Sequence, residues 1–156
     1  MERDKLFLQR AVNIAMKGIL NGGGPFGAIV SKDGKTISVA FNNVVLNNDP
    51  TAHAEILAIR KAASVLKSYD LSECTLYSSC EPCPMCLGAI YWAKIKKVVY
   101  ASDRNEAARA GFSDNLIYKE IMIDPADRKV TFLRMTDTGE KEVFRKWNEL
   151  ENKIPY

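Results

Sequence analysis

Two short segments constrain the fold of this 156-residue chain more than anything else in it. Asp49-Pro50-Thr51-Ala52-His53-Ala54-Glu55 contains the only histidine, and Cys80-Glu81-Pro82-Cys83-Pro84-Met85-Cys86 contains three of the four cysteines, the fourth being Cys74. Each reads as the start of a helix. Cys83 and Cys86, three apart, project from one helix face, so both sulfurs can reach a common point. Pro84 is tolerated only in a first turn, which puts Cys83 at or beside the N-cap, where exposed N–H groups and the helix dipole favour thiolate. His53 and Glu55, two apart, would point to nearly opposite sides in mid-helix. They share a site only where a helix begins and the site lies off its end, and Asp49-Pro50-Thr51 supplies turn and capping residues for such a start. A fold that satisfies both segments aims two helix N-termini at one place.

One imidazole and two thiolates at that place form a metal-ligand set, and zinc is the metal it suits. Three protein ligands leave one tetrahedral position open, as in catalytic zinc, whereas structural zinc takes four. Cys80 or Cys74 could be that fourth ligand, which would make the site structural. A thioredoxin-type redox pair fits less well, because Cys-Pro-Met-Cys does not follow the first strand of a matching βαβ pattern. Zinc with an open position lowers the pKa of bound water from about 15.7 to about 7. Glu55 beside it can take the water's proton and deliver it to a substrate nitrogen. A glutamate met alone on a helix would instead be read as solvent-exposed.

The rest of the chain reads as one α/β domain spanning 1–156. Leu6, Phe7, Ala11, Ile14, Ala15 and Ile19 recur at helical spacing, predicting a helix over about 4–20 that Asn21-Gly22-Gly23-Gly24-Pro25 stops. Phe26–Ser31 and Thr36–Phe41 flank an Asp-Gly turn and read as a hairpin. A loop over 47–51 leads to a helix at about 52–67. A strand at Thr75–Tyr77, a helix to about Ala93 and a strand at Lys97–Tyr100 follow. Residues 104–122 mix helical and loop signals. Val130–Leu133 reads as a last strand, and Glu140–Glu151 as a helix with Val143, Phe144 and Trp147 on one face. This order predicts helices on both faces of one mixed sheet.

No apolar run approaches the roughly 20 residues a membrane-spanning helix needs. The charged start Met1-Glu2-Arg3-Asp4-Lys5 lacks the apolar stretch of a signal peptide, which points to the cytoplasm. A net charge of +3 with one short basic cluster, Lys94, Lys96 and Lys97, argues against a nucleic-acid groove.

His53-Ala54-Glu55 with Pro82-Cys83-Pro84-Met85-Cys86 resembles the H-x-E…P-C-x-x-C signature of zinc deaminases acting on nucleobases. Gly24-Pro25-Phe26-Gly27-Ala28, Asn42-Asn43, Ala89-Ile90-Tyr91-Trp92-Ala93, Ala110-Gly111-Phe112-Ser113-Asp114 and Ile117-Tyr118-Lys119-Glu120-Ile121 narrow it. Over nearly its whole length the chain resembles bacterial guanine deaminases of the cytidine deaminase-like superfamily. The resemblance implies a three-layer α/β/α cytidine deaminase-like fold with a central mixed five-stranded sheet and Zn2+ on His53, Cys83 and Cys86. It implies hydrolysis of guanine to xanthine and ammonia, with Glu55 as proton shuttle and Asp114 assisting proton transfer or holding the exocyclic amine. Substrate contacts fall by position on Phe26, Asn42, Ala54, Trp92, Asp114 and Tyr156. The family pattern is a homodimer that exchanges its C-terminal segment, about 138–156, so that Tyr156 closes the partner's site.

The residues alone leave alternatives open. Asn42 could merely form a turn, Asp114 cap a helix, Phe26 and Trp92 fill the core, and Tyr156 fray. A tRNA adenosine deaminase, a guanosine or cytosine deaminase, and a non-catalytic zinc module are the competing functions. The first of these usually carries Leu where this chain has Cys80, and needs a basic RNA groove.

Overall fold

The helical spacing near the N-terminus becomes α1, Glu2–Leu20, which buries Phe7, Ala11, Ala15 and Gly18 along one stripe. It stops at Asn21, whose side-chain amide returns to the Lys17 carbonyl at 2.7 Å; Gly22 then takes a left-handed φ of 81°. In the computed structural model, which describes residues 1–156, the hairpin follows as β1, Gly27–Lys32, and β2, Lys35–Phe41. Its two loop residues, Asp33 and Gly34, both have positive φ (51° and 74°). That is the primed turn whose twist matches paired strands.

A short helix unforeseen in the sequence, α2 at Val44–Asn47, fills the stretch between the hairpin and the expected loop. It is one turn long, too short for periodicity to reveal. Then come α3 (Ala54–Leu66), β3 (Cys74–Cys80), α4 (Pro84–Trp92), β4 (Lys97–Ser102) and α5 (Arg104–Arg109). Asp103 and Glu106 close a capping box on α5, satisfying two otherwise orphaned donors.

The sheet runs β2-β1-β3-β4. β1 is antiparallel to both neighbours, and β3 is parallel to β4 with α4 as the crossover. Side-chain alternation along β1 sends Ala28 and Val30 to one core with Ala54, Ala58 and Ala62 of α3 and Ile90 of α4. Ile29 goes to the other face with Phe7, Ala11 and Tyr77. Helices therefore cover both faces, as expected. Three of the α3 residues in that core, Ala54, Ala58 and Ala62, are alanines beside Ile59, and the helix lies close enough to the sheet for Ser38 Oγ on β2 to donate to the Ala58 carbonyl at 2.7 Å.

The sheet has four strands and not the five expected. Val130–Leu133 is irregular, with Val130, Phe132 and Leu133 at least half exposed. β propensity alone makes no strand: its backbone groups need a ladder partner, and the sheet supplies none to this run.

The chain divides into two compact units, Met1–Asp114 and Asn115–Tyr156. The second comprises α6 (Asn115–Ile121), a 3-10 turn at Pro125–Asp127 and α7 (Glu140–Glu149). Arg128 stacks over Phe132 at 4.9 Å and donates to the Glu120 carbonyl at 2.9 Å. On α7, Arg145 pairs with both Glu142 and Glu149. No side chain of residues 115–156 is buried. No helix is long and apolar enough to cross a membrane.

Gly27 begins β1 where α1 lies against it; a Cβ there would meet the Ala11 carbonyl oxygen and stand 2.5 Å from the Ala15 nitrogen. Both obstacles are backbone, so neither can rotate away. Gly27→Ala is expected to destabilise the chain by about 1–3 kcal/mol, the usual cost of overpacking. Thermal unfolding checks this, and an unchanged Tm would show that α1 yields.

Candidate metal centre and active site

α3 and α4 pack on the same face of the sheet, and their first residues define the site. His53 is the N-cap of α3 and Cys83 the N-cap of α4, each with extended backbone (ψ 152° and 170°). Neither side chain caps its own helix. The turn before His53 is built by Asp49, whose Oδ1 accepts from the Thr51 N–H at 2.8 Å and the Thr51 hydroxyl at 2.7 Å. The Asn43 N–H, donating to the Ala52 carbonyl at 3.0 Å, ties that turn to the end of β2. Pro84 occupies the first turn of α4, where its missing N–H costs no helical bond.

His53 Nδ1 lies 3.5 Å from Cys83 Sγ and 3.6 Å from Cys86 Sγ. All three donor atoms fall within 4.8 Å of one another. Zn–N near 2.05 Å and Zn–S near 2.3 Å in a tetrahedron imply N···S edges of about 3.6 Å. The donors thus stand at the spacing one zinc ion requires. No further His, Cys, Asp or Glu joins the group. Cys80, the candidate fourth ligand, turns its thiol to the Asp103 carbonyl at 3.7 Å. Burial pushes that thiol up to about 11, away from the thiolate a metal needs. Cys74 lies in the core with Leu71 and Leu76.

Without a metal the three donors are held unequally. A hydrogen bond from Cys86 pulls the Cys83 thiol down to about 4 against its burial, helped by His53 and the Cys86 backbone N–H. The same pairing, then burial, pushes the Cys86 thiol up. Hydrogen bonding to Cys83 raises the His53 imidazole.

Glu55, in the first turn of α3, is 5% exposed. Its Oε1 accepts from the Ser78 hydroxyl at 3.1 Å. Burial raises its pKa, as does the charge of Cys83. The carboxyl stands beside the Cys86 thiol, so a proton carrier adjoins the metal ligands. Ser78, fully buried on β3, has no mark in the motif; its signal is a hydroxyl on an otherwise apolar strand face.

Around this centre the expected substrate residues lie in different settings. Ala54, the first residue of α3, is fully buried. Asn42 is buried, and its Oδ1 accepts from the Val44 N–H at 3.2 Å, so it does form a local turn. Phe26 meets Phe112 edge-on, with ring centroids 5.0 Å apart; Phe112 lies in the family-like segment 110–114 but is not among the expected substrate contacts. Asp114 is half-buried, and its pKa is raised by burial first and then by the charge of Cys83. Trp92 ends α4 and is 66% exposed, so it is not a core residue. Tyr156 belongs to the second unit and is mostly exposed.

The model of the cytidine and deoxycytidylate deaminase zinc-binding region matches residues 1–102, and the chain belongs to that family of zinc-dependent aminohydrolases. The His53, Cys83 and Cys86 donor set fits the zinc-binding character of that family. Within the family the chain is 53% identical over 151 residues to guanine deaminase of Bacillus subtilis (strain 168), covering 96% of this chain and 97% of that protein. The X-ray structure of guanine deaminase from Bacillus subtilis shares the fold with a TM-score of 0.95 at 52% identity, over 97% of this chain and 98% of that one. A solved complex with 2,6-diaminopurine aligns with a TM-score of 0.69 at 33% identity, over 71% and 62% of the two chains. The tRNA-specific adenosine deaminase of Bacillus subtilis (strain 168) is 34% identical over 120 residues, 77% of this chain and 74% of that protein.

Cys80→Ala is expected to keep one zinc per chain, whereas Cys86→Ala loses it. Metal analysis of the purified variants checks both; loss of zinc from Cys80→Ala would make the site a four-ligand structural one.

Proposed function

We propose that this chain hydrolyses guanine to xanthine and ammonia, using Glu55 as proton carrier, and that it works as a homodimer. The observation that carries the reading is the end-to-end likeness to a guanine deaminase; the likeness to a tRNA deaminase is lower and partial. When bound, zinc on His53, Cys83 and Cys86 supplies Lewis-acid activation of water near neutral pH. Glu55 takes a proton from that water and hands it to a ring nitrogen of the base. It takes the second water proton and hands it to the departing amine. A C–O bond forms at the amino-bearing carbon, the C–N bond breaks, and the amine leaves as ammonia. Burial keeps the protonated form of Glu55 within reach, and the Ser78 hydroxyl fixes which oxygen faces the reaction.

Asp114, a second carboxyl under the influence of Cys83, assists proton transfer or holds the exocyclic amine. Asn42 hydrogen-bonds the base edge while its Oδ1 also serves Val44. Ala54 offers a first-turn N–H that no intrahelical carbonyl uses. Phe26 and Trp92 pack against the purine, and Phe112 sets the tilt of Phe26.

The homodimer rests on the state of residues 115–156. Val143, Phe144 and Trp147 share one side of α7, yet nothing in this unit is buried. An apolar segment without a core gains stability by covering another surface. A second copy is that surface: the segment about 138–156 crosses over, and Tyr156 closes the partner's site. Four free cysteines, two of them metal donors, suit a reducing compartment and support a cytoplasmic location.

Glu55→Ala is expected to retain zinc while kcat falls by roughly 10²-fold or more, the usual loss of general acid–base catalysis. Metal analysis beside steady-state rates checks it, and full activity in the variant would refute the role. Ammonia release from guanine, guanosine, adenine, cytosine and an anticodon stem-loop tests the substrate, with guanine expected to dominate; release from RNA alone would overturn the reading. Truncation after Asp137 is expected to turn a dimer into a monomer lighter than the 17.4 kDa of the whole chain, with little activity, as read by light scattering; an unchanged dimer would place the interface elsewhere.

A further inference from the structure

We propose that the cleft over the C-terminal end of β2, between α1 and α3, binds a nucleoside monophosphate: a flat ring on its apolar floor and a phosphate against its three cations. The cleft has a volume of about 760 Å³, within the range that takes a drug-sized ligand. Val39, Phe41 and Leu57 give it apolar walls, and Lys17, Arg60 and Lys61 line it as well. None of the three cations forms an ion pair. Three positive charges from two helices, of which only Arg60 feels a nearby carboxylate (Asp49), lower the cost of holding a dianion there.

The floor is also a strand edge. β2 is the outermost strand on its side of the sheet. The Asn42 N–H donates inward to the Phe26 carbonyl at 2.9 Å. By antiparallel alternation, Val39 and Phe41 then turn their own N–H and C=O groups to the open edge. These offer both hydrogen-bond polarities to the rim of a planar heterocycle. Asn43 lines the same cleft, and its Oδ1 is the buried side-chain acceptor that lacks a donor. Rotation of that amide toward the cleft would let a ring N–H or amino group supply the donor.

A peptide strand added to β2 is the competing occupant. It would run the length of the strand, yet the cleft takes in only Val39–Phe41 and not Lys35–Ile37. Three strand residues span about 10 Å, the length of a nucleoside and too little for a stable ladder. The cleft shares no residue with the zinc centre or Glu55, so this inference does not depend on which base the enzyme deaminates.

The test is calorimetric titration of the zinc-loaded protein with guanosine monophosphate, guanosine, ribose 5-phosphate and an extended acidic peptide. Amide chemical shifts locate each. The expected result is that the nucleotide binds most tightly and shifts the Val39 and Phe41 amides. Lys17→Glu, Arg60→Glu and Lys61→Glu, all exposed positions, should each weaken it by about tenfold, as loss of a charge-assisted hydrogen bond does. Their turnover of free base should be unchanged. Nucleotide binding indifferent to these reversals would put the ligand in the zinc site and overturn the proposal. Equal binding of ribose 5-phosphate would reduce the cleft to an anion patch, and tighter binding of the peptide would make it a strand-docking edge; either outcome refutes it.

Discussion

The geometry of the site depends on two helices that start at the same point on one face of the sheet. Their N-caps, His53 and Cys83, do not cap. Side chains at this position ordinarily satisfy the first-turn N–H groups; here they face each other, at 3.5 Å. The cost of the unserved helix ends is offset where negative charge gathers in front of them, because thiolate and carboxyl groups are favoured at helix N-termini. A metal donor set and its electrostatic support thus come from the same backbone feature. Ala54, Ala58 and Ala62 keep much of the sheet-facing side of α3 small, so larger side chains at these positions would lift His53 away from Cys83 and Cys86.

Burial then divides the labour among chemically similar groups. Cys83 and Cys86 differ by three positions, yet their pairing draws the Cys83 thiol down and pushes the Cys86 thiol up. Cys80, three residues before Cys83, has a carbonyl for a partner and stays a thiol. Glu55 is buried beside them with one hydroxyl partner, so its charged form is penalised and a proton can rest on it. Raising a carboxyl by burial is the direction that proton transfer needs.

The second unit works on a different physical balance. Its helices are held by local pairs such as Arg145 with Glu142 and Glu149, and Arg128 with the Glu120 carbonyl. Such exposed pairs contribute little. With Val143, Phe144 and Trp147 exposed on α7, the segment has a hydrophobic driving force and no surface of its own to satisfy it. That imbalance is the physical reason to look for a second copy of the chain.

Much of the zinc centre was legible in the sequence. A single histidine, a Cys-x-x-Cys pair, Pro84 in a first turn and a glutamate two residues after the histidine leave few ways to arrange a helix start. Proline and turn residues act locally, so their meaning survives without a fold. The hairpin and the two-faced sheet followed for the same reason, from turn chemistry and side-chain period. The fourth-ligand question did not: only the tertiary structure turned Cys80 toward Asp103 and gave Glu55 its Ser78 partner, because both depend on which strand lies beside which loop. The strand expected at Val130–Leu133 failed on the same ground. Propensity belongs to a residue, whereas a ladder belongs to two segments, and no stretch of sequence states whether the second one is there.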